Sequence, residues 1–257
     1  MPDHEVNFQI IEETDDWIVI DKPAGLLVHP TKPGGPPTLW DGLRELLAYE
    51  MVNKGQISLI NRLDRETSGL VLVCKNTSSA RTFAMAMEEK RIRKAYHALV
   101  YGWPEEDHFT VTAPLLRIGE KQDSKIWLKR GIHPEGDFSE TQAEVLERRT
   151  HPQKNARLSL VKARPLTGRT HQIRVHLASK GHPVIGDKIY GPNEEHYLQF
   201  IDKGWTPELE KDLWLPRHAL HSSLLEVTIQ GKVFRWESPL PPDMQQILTE
   251  SAACPRP

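Results

Sequence analysis

Cysteine is scarce in this 257-residue chain: Cys74 and Cys254 are the only two. Thiols so few and so far apart build neither a disulfide framework nor a zinc knuckle, and they fit a reduced, cytoplasmic setting. Long apolar runs are also missing. The longest, Gly69–Cys74, falls well short of the roughly 18 residues that a membrane-crossing helix needs. The opening residues, MPDHEVNFQIIEETDDW, are acidic and lack the basic-then-apolar pattern of a secretory leader. Neither a GxGxxG nor a Walker phosphate loop occurs, and there is no GxSxG elbow. Internal repeats and low-complexity linkers are absent too. The chain is 38% hydrophobic and 26% charged, an ordinary globular composition. Its length suffices for a core that stands without a disulfide or structural metal.

Acidic residues are missing from one long stretch. Between Glu147 and Asp187 there are none, while that stretch holds nine basic residues, from Arg148 to Lys180. With those nine of the 33 set aside, 24 basic residues remain against 35 acidic ones. A basic stripe on an acidic body predicts one face that meets phosphates. A shorter cluster, Lys90, Arg91, Arg93 and Lys94, is better explained as solvated surface.

The hydrophobic pattern predicts an α+β fold with a mixed sheet and a few helices, in one domain spanning 1–257. Strands are expected at Phe8–Ile11, Trp17–Ile20, Leu70–Cys74, Ala95–Gly102 and Ala156–Ala163. Within the polar stretch 104–140, weaker strand patterns cover Phe109–Ala113 and Ile126–Leu128. A helix capped by Thr38 should run through Leu39, Leu43 and Leu47 to Met51, with Gly55 as its stop. A second should begin near Ser78 and reach Lys90. Leu220–Ile229 and Val233–Glu237 read as a hairpin about Gln230-Gly231, and the tail SAACPRP as frayed.

Two segments carry chemistry. In INRLDRETSGLVLVCKN, Asp64 sits between Arg62 and Arg65 on a polar turn just before a buried strand. Such a turn can hold a side chain at the end of a rigid element, although spacing alone favours a surface ion-pair turn. In RPLTGRTHQIRVHLASKGHPVIGDKIYG, residues Arg169, His171, Gln172, Arg174 and His176 follow a Thr-Gly turn within eight positions. The planar guanidinium fork suits phosphate or carboxylate. His171, His176, His182 and Asp187 are zinc-type ligands. Their spacing is not the four-residue one that puts two ligands on one helix face, and no cysteine joins them. His218 and His221 read as core or loop histidines. Tyr96 follows four basic residues, and an aromatic beside a basic cluster is a base-stacking arrangement.

NRLDRETSGLVLVCKN resembles the hallmark of the RluA-type pseudouridine synthases, His-Arg-Leu-Asp-x-x-Thr-Ser-Gly followed by an apolar strand. DKPAGLLVHP at 21–30, KAYHALVYG at 94–102, LTGRTHQIRVHLASKGHPVIGDKIYG at 166–191 and RHALHSSLL at 217–225 resemble further blocks of the family in its own order. The resemblance starts so near the N-terminus that no extra S4 RNA-binding module is expected.

That resemblance implies a largely antiparallel mixed sheet with flanking helices and loops, and an RNA-binding cleft. It also implies isomerisation of uridine to pseudouridine in ribosomal or transfer RNA, with no metal and no organic cofactor. By position, Asp64 matches the family's essential aspartate and Tyr96 the tyrosine that stacks on the flipped uracil. Arg174 matches the basic residue paired to the aspartate, and Arg62 the arginine that fills the gap left by the flipped base. Arg169, His171 and Gln172 would hold RNA or shape the cleft. One departure stands out: Asn61 replaces the usual histidine. Residues 104–140 match poorly. A binding module that keeps the cleft without the activity is the rival reading. A monomer that binds no membrane is expected.

Overall fold

The computed structural model describes residues 6–30 and 34–254. They divide into two compact units. The first is built from residues up to Lys94 together with Ser222–Pro239, and the second from Ala95–His221 together with residues from Leu240 on.

In the first unit, β1 (Gln9–Glu13) pairs antiparallel with β2 (Trp17–Lys22). Thr14 closes the turn between them, its hydroxyl accepting from the N–H of Asp16 and Trp17. The expected capped helix begins where predicted. Thr38 and Asp41 form a reciprocal capping box at the start of α1 (Leu39–Leu46). It does not run unbroken to Met51: the buried Leu47 leaves helical geometry, and α2 (Ala48–Val52) follows with no buried residue. Leu47 anchors the break, and solvent takes the second segment. Gly55 ends the region with its N–H on the Glu50 carbonyl.

The short β3 (Ser58–Leu59) and β2 both pair with β4 (Ser68–Cys74), all seven residues of which are buried. Asn76 caps α3 (Thr77–Glu88), which presses Phe83 and Ala86 onto Val19, Leu70 and Leu72. Apolar burial of this kind is the main stabilising term.

The chain continues along β5 (Ile92–Tyr101) into the second unit. There β6 (His108–Thr112) appears as expected, but Ile126–Leu128 is a turn, not a strand. Its backbone bonds locally, Lys129 N–H to the Ile126 carbonyl, and Trp127 is 67% exposed beneath the Arg117 guanidinium. The strands of this stretch are instead β7 (Leu115–Arg117) and β8 (Arg130–Ile132), paired with each other. The twelve-residue β9 (Glu140–His151) was not foreseen. Its buried residues are only Thr141, Ala143, Val145 and His151, and the first three alternate with polar Glu140, Gln142 and Glu144. β10 (Ala156–Pro165) lies between β5 and β9, antiparallel to both.

Helices α4 (Gln172–Ser179), α5 (Glu195–Lys203) and α6 (Pro207–Leu213) follow. The hairpin of β11 (Leu220–Ile229) and β12 (Lys232–Glu237) turns on Gln230 and Gly231, both at positive φ, as the sequence predicts. After α7 (Pro242–Glu250), residues 251–254 of the tail are ordered rather than frayed. β13 (Ala252–Ala253) pairs with Thr150 and Arg149 of β9, whose long edge was invisible in the sequence. Residues 255–257 lie outside the described residues. The pairings above are all antiparallel, so the class is α+β with a largely antiparallel sheet, as expected.

Candidate active site

Asp64 stands on the turn that enters β4, and the turn is braced from beneath. Asn61 is buried, and its amide does the work of a strand rung. Nδ2 donates to the Leu70 carbonyl at 3.0 Å, and Oδ1 accepts from the Leu72 N–H at 2.9 Å. Ile60 N–H adds a backbone bond to the Leu72 carbonyl. Leu63 is buried beside the half-buried Asp64, and Thr67 N–H closes the turn on the Asp64 carbonyl at 3.1 Å. Arg62 is exposed. The residue that departs from the family pattern is thus an internal brace that faces the strand, not the solvent.

A second brace was missed in the sequence. Lys22 is fully buried, and its ammonium donates to the carbonyls of Pro23 (2.8 Å), Leu26 (3.0 Å) and Arg65 (3.2 Å). Arg65 and Gly25 exchange a further pair of hydrogen bonds. The Lys-Pro-Ala-Gly segment and the Asp64 turn are therefore tied to each other. The glycine of the Thr-Ser-Gly triplet also has a physical reason. Gly69 has φ +110°, and a Cβ there would sit 2.3 Å from the Ser222 carbonyl oxygen.

In the second unit, Tyr96 lies on β5 opposite Ala163 and is almost wholly buried. Arg174 is buried in α4. Its Nε and Nη2 donate to Asp187 at 2.6 and 2.9 Å, and its guanidinium lies 5.0 Å from the Tyr190 ring centre. Burial works against the charged carboxylate of Asp187. The charge and hydrogen bonds of Arg174, with the N–H groups of Tyr190 and Ile189, outweigh it and hold the carboxyl below its usual range. The sequence offers Asp187 as a zinc-type ligand, yet its place as the first acid after 39 acid-free residues is the signal that fits its pairing with Arg174.

The remaining residues of the 166–176 block divide. Gln172 is buried with its amide fully engaged: Oε1 accepts from Thr167 Oγ1 and Arg169 N–H, and Nε2 donates to the Glu140 carbonyl and Thr141 Oγ1. It shapes the loop from inside. Arg169 is exposed, donating to the Phe138 carbonyl and lying 3.6 Å from Asp137. His171 is half-buried with left-handed backbone, its Nδ1 2.7 Å from the Tyr190 hydroxyl. His176 is buried against Thr141, Ser139 and the Ala113 carbonyl, and burial lowers its pKa. His182 meets the Tyr101 carbonyl. Among the described residues no three His, Cys, Asp or Glu side chains converge as a ligand set.

The acid-free stretch does not form the single basic face expected of it. Five of its nine cations pair with carboxylates: Arg148 with Asp107, Arg149 with Glu147, Arg164 with Glu144, Arg169 with Asp137 and Arg174 with Asp187. Arg157 and Lys162 are five residues apart on a regular strand, so they point to opposite sides. Arg157 lies over Trp103, while Lys162 sits across from His97 and Glu144.

Solved structures place the fold first. The human RNA pseudouridylate synthase domain containing 1 superposes with a TM-score of 0.72 at 24% identity, covering 99% of this chain and 91% of that one. Sequence then places the family. The RNA pseudouridylate synthase profile matches residues 16–179. A ribosomal large subunit pseudouridine synthase D of Nitrosomonas europaea is 35% identical over 95% of this chain and 65% of its own length. A synthase C of Pasteurella multocida is 35% identical over 93% and 67%. The chain belongs to the RNA pseudouridylate synthase family, and it spans about two thirds of the length of these curated relatives.

Proposed function

We propose that this protein isomerises uridine to pseudouridine in structured RNA, with large-subunit ribosomal RNA the first choice and transfer RNA the second. Family membership supports the reaction class, and the names of the relatives favour ribosomal RNA. The observation that carries the reading is a braced carboxylate: Asp64 on a turn locked by Asn61 and Lys22 at the head of a fully buried strand. In the proposed reaction the target nucleotide is flipped out of the RNA, because the base must rotate. Arg62 fills the space it leaves, and Tyr96 stacks on the uracil. The N1–C1′ bond breaks, the uracil turns, and C5 bonds to C1′. The C5 proton leaves to a base, and N1 takes up a proton, so the product is an isomer of the substrate. Asp64 either attacks C1′ or removes the C2′ proton, and Arg174 is its cationic partner. The chain's own side chains supply these roles with no metal or organic cofactor, in a cytoplasmic monomer.

The test uses unmodified large-subunit rRNA and tRNA transcripts made with [5-³H]uridine. Tritium release from the ribosomal transcript, undiminished by a chelator, is the expected result. Binding without release from either RNA would favour the inactive binding module. Loss of release with chelator would require a metal.

A further inference from the structure

The acid-free stretch presents no single basic face, and the hairpin that precedes it holds a cationic feature that the reaction as described does not use. Five cations lie between Leu115 and Ile132, all in the second unit. The three lysines are neutralised: Lys121 by Glu135, Lys125 by Glu195 at 3.2 Å, and Lys129 by Glu194. The two arginines differ. Arg117 of β7 and Arg130 of β8 are register partners, so they stand directly opposite each other on one face of the hairpin. Like charges so placed repel and destabilise the strand pair. Glu120 lies 3.1 Å from Arg117 Nε, a half-exposed contact without hydrogen-bond alignment that contributes little. Among the described residues no carboxylate pairs with Arg130, and its buried Nε meets no acceptor.

Two further observations point to a ligand. The Arg117 guanidinium lies 3.8 Å from the centre of the Trp127 ring, and that indole is 67% exposed. An exposed ring backed by a cation is the arrangement of a base-stacking platform. The arginine pair is also held in place. Arg130 donates its N–H to the Tyr190 hydroxyl at 2.8 Å, and that hydroxyl lies 2.7 Å from Nδ1 of His171, a residue expected to hold RNA.

We propose that Arg117, Arg130 and Trp127 form a nucleotide-binding subsite on the β7–β8 hairpin: the two guanidinium groups take one backbone phosphate, and the indole stacks on an adjoining base. The inference deepens the proposed function, in which the bound polymer is RNA. A phosphate carries the charge that two facing arginines require, and its oxygens accept from planar forks. An acidic peptide would answer the arginines but give the exposed indole no partner; a nucleotide answers both. None of the three residues is assigned to the bond rearrangement, so the subsite acts on binding and not on turnover.

The experiment measures RNA affinity over a range of salt, and the single-turnover rate at saturating RNA, on the tritiated transcript that the wild type converts. The variants are Arg130→Gln, Arg130→Lys, the double variant Arg117→Gln with Arg130→Gln, Trp127→Ala, and Lys121→Gln as a control of equal charge change. Arg130→Gln should weaken binding about tenfold, the loss of a charge-assisted contact. The double variant should flatten the logarithmic salt slope by about 0.7, the value for one phosphate of a single strand. Arg130→Lys should keep the slope and lose part of the affinity, because the charge stays and the fork goes. Trp127→Ala should weaken binding about tenfold with the slope kept. Lys121→Gln should change affinity by less than about twofold, and all rates at saturating RNA should stay within about threefold of wild type. Should Arg130→Gln not fold, Arg130→Lys and Trp127→Ala decide. Affinity and slope unchanged in the folded variants, losses no greater than that of Lys121→Gln, or a loss confined to the rate would overturn the inference. A wild type that converts neither transcript would remove the proposed function, and affinity for the ribosomal transcript would still decide the subsite. An active wild type with unaffected folded variants removes this inference alone.

Discussion

Two buried side chains near the candidate site serve the backbone rather than the ligand. Asn61 stands where the family has histidine, and its amide answers one carbonyl and one N–H of β4. An imidazole presents its two nitrogens at a different span and angle, so the exchange is local architecture. Asn61→Leu should leave both backbone groups unpaired in a buried place, at roughly 1–3 kcal/mol each. Urea unfolding should show a lowered midpoint with an unchanged slope, and a wild-type midpoint would show that the amide bonds add nothing. Lys22 is the companion case, a cation spent on three carbonyls. The sequence marked Asp64 and Arg174 through their setting and the family pattern, but these supporting roles depend on which backbone groups a fold leaves unpaired, which spacing does not reveal.

At the scale of elements, strongly patterned segments were legible and weakly patterned ones were not. β4 is apolar throughout, α1 opens on a capping box, and the β11–β12 hairpin turns on Gln-Gly; each is a local signal. β9 buries only Thr141, Ala143, Val145 and His151 of its twelve residues, and its strand character comes from β10 and β6 on either side. The same strands divide the basic stretch, since linear charge says nothing of which side a strand presents. A consequence follows for RNA binding. The two substitutions Arg157→Glu and Lys162→Glu should not act alike: at most one should reduce the salt dependence of RNA affinity, by about one in the logarithmic slope. Titrations from low to high salt would check this, and equal reductions for both would contradict the division.

For the whole molecule, buried titratable groups set the pH window of stability. Burial lowers the pKa of His97, with help from Lys162, and of His176 against the pull of the Ala113 carbonyl. It lowers that of His218 much further, with Arg174, His171, Arg217 and Lys188 adding to the effect. The unfolded chain binds these protons first, so stability is full above about pH 6.5 and falls as pH drops below it. On the alkaline side, burial pushes the Cys74 thiol up to about 11 and raises the Tyr101 hydroxyl. Here the unfolded chain loses its protons first, so stability falls as pH rises beyond about 8.5. Unfolding free energies should therefore plateau between these limits; a steady rise from pH 7 down to 5 would contradict the histidine assignments. The central claim is that this braced carboxylate performs the isomerisation. Its most direct test is nucleoside analysis of a ribosomal transcript after a single turnover with wild type and with Asp64→Asn. The account expects pseudouridine from the wild type and none from the variant, with melting temperature and RNA affinity nearly unchanged. Pseudouridine formation by the purified variant, free of wild-type protein, would contradict it.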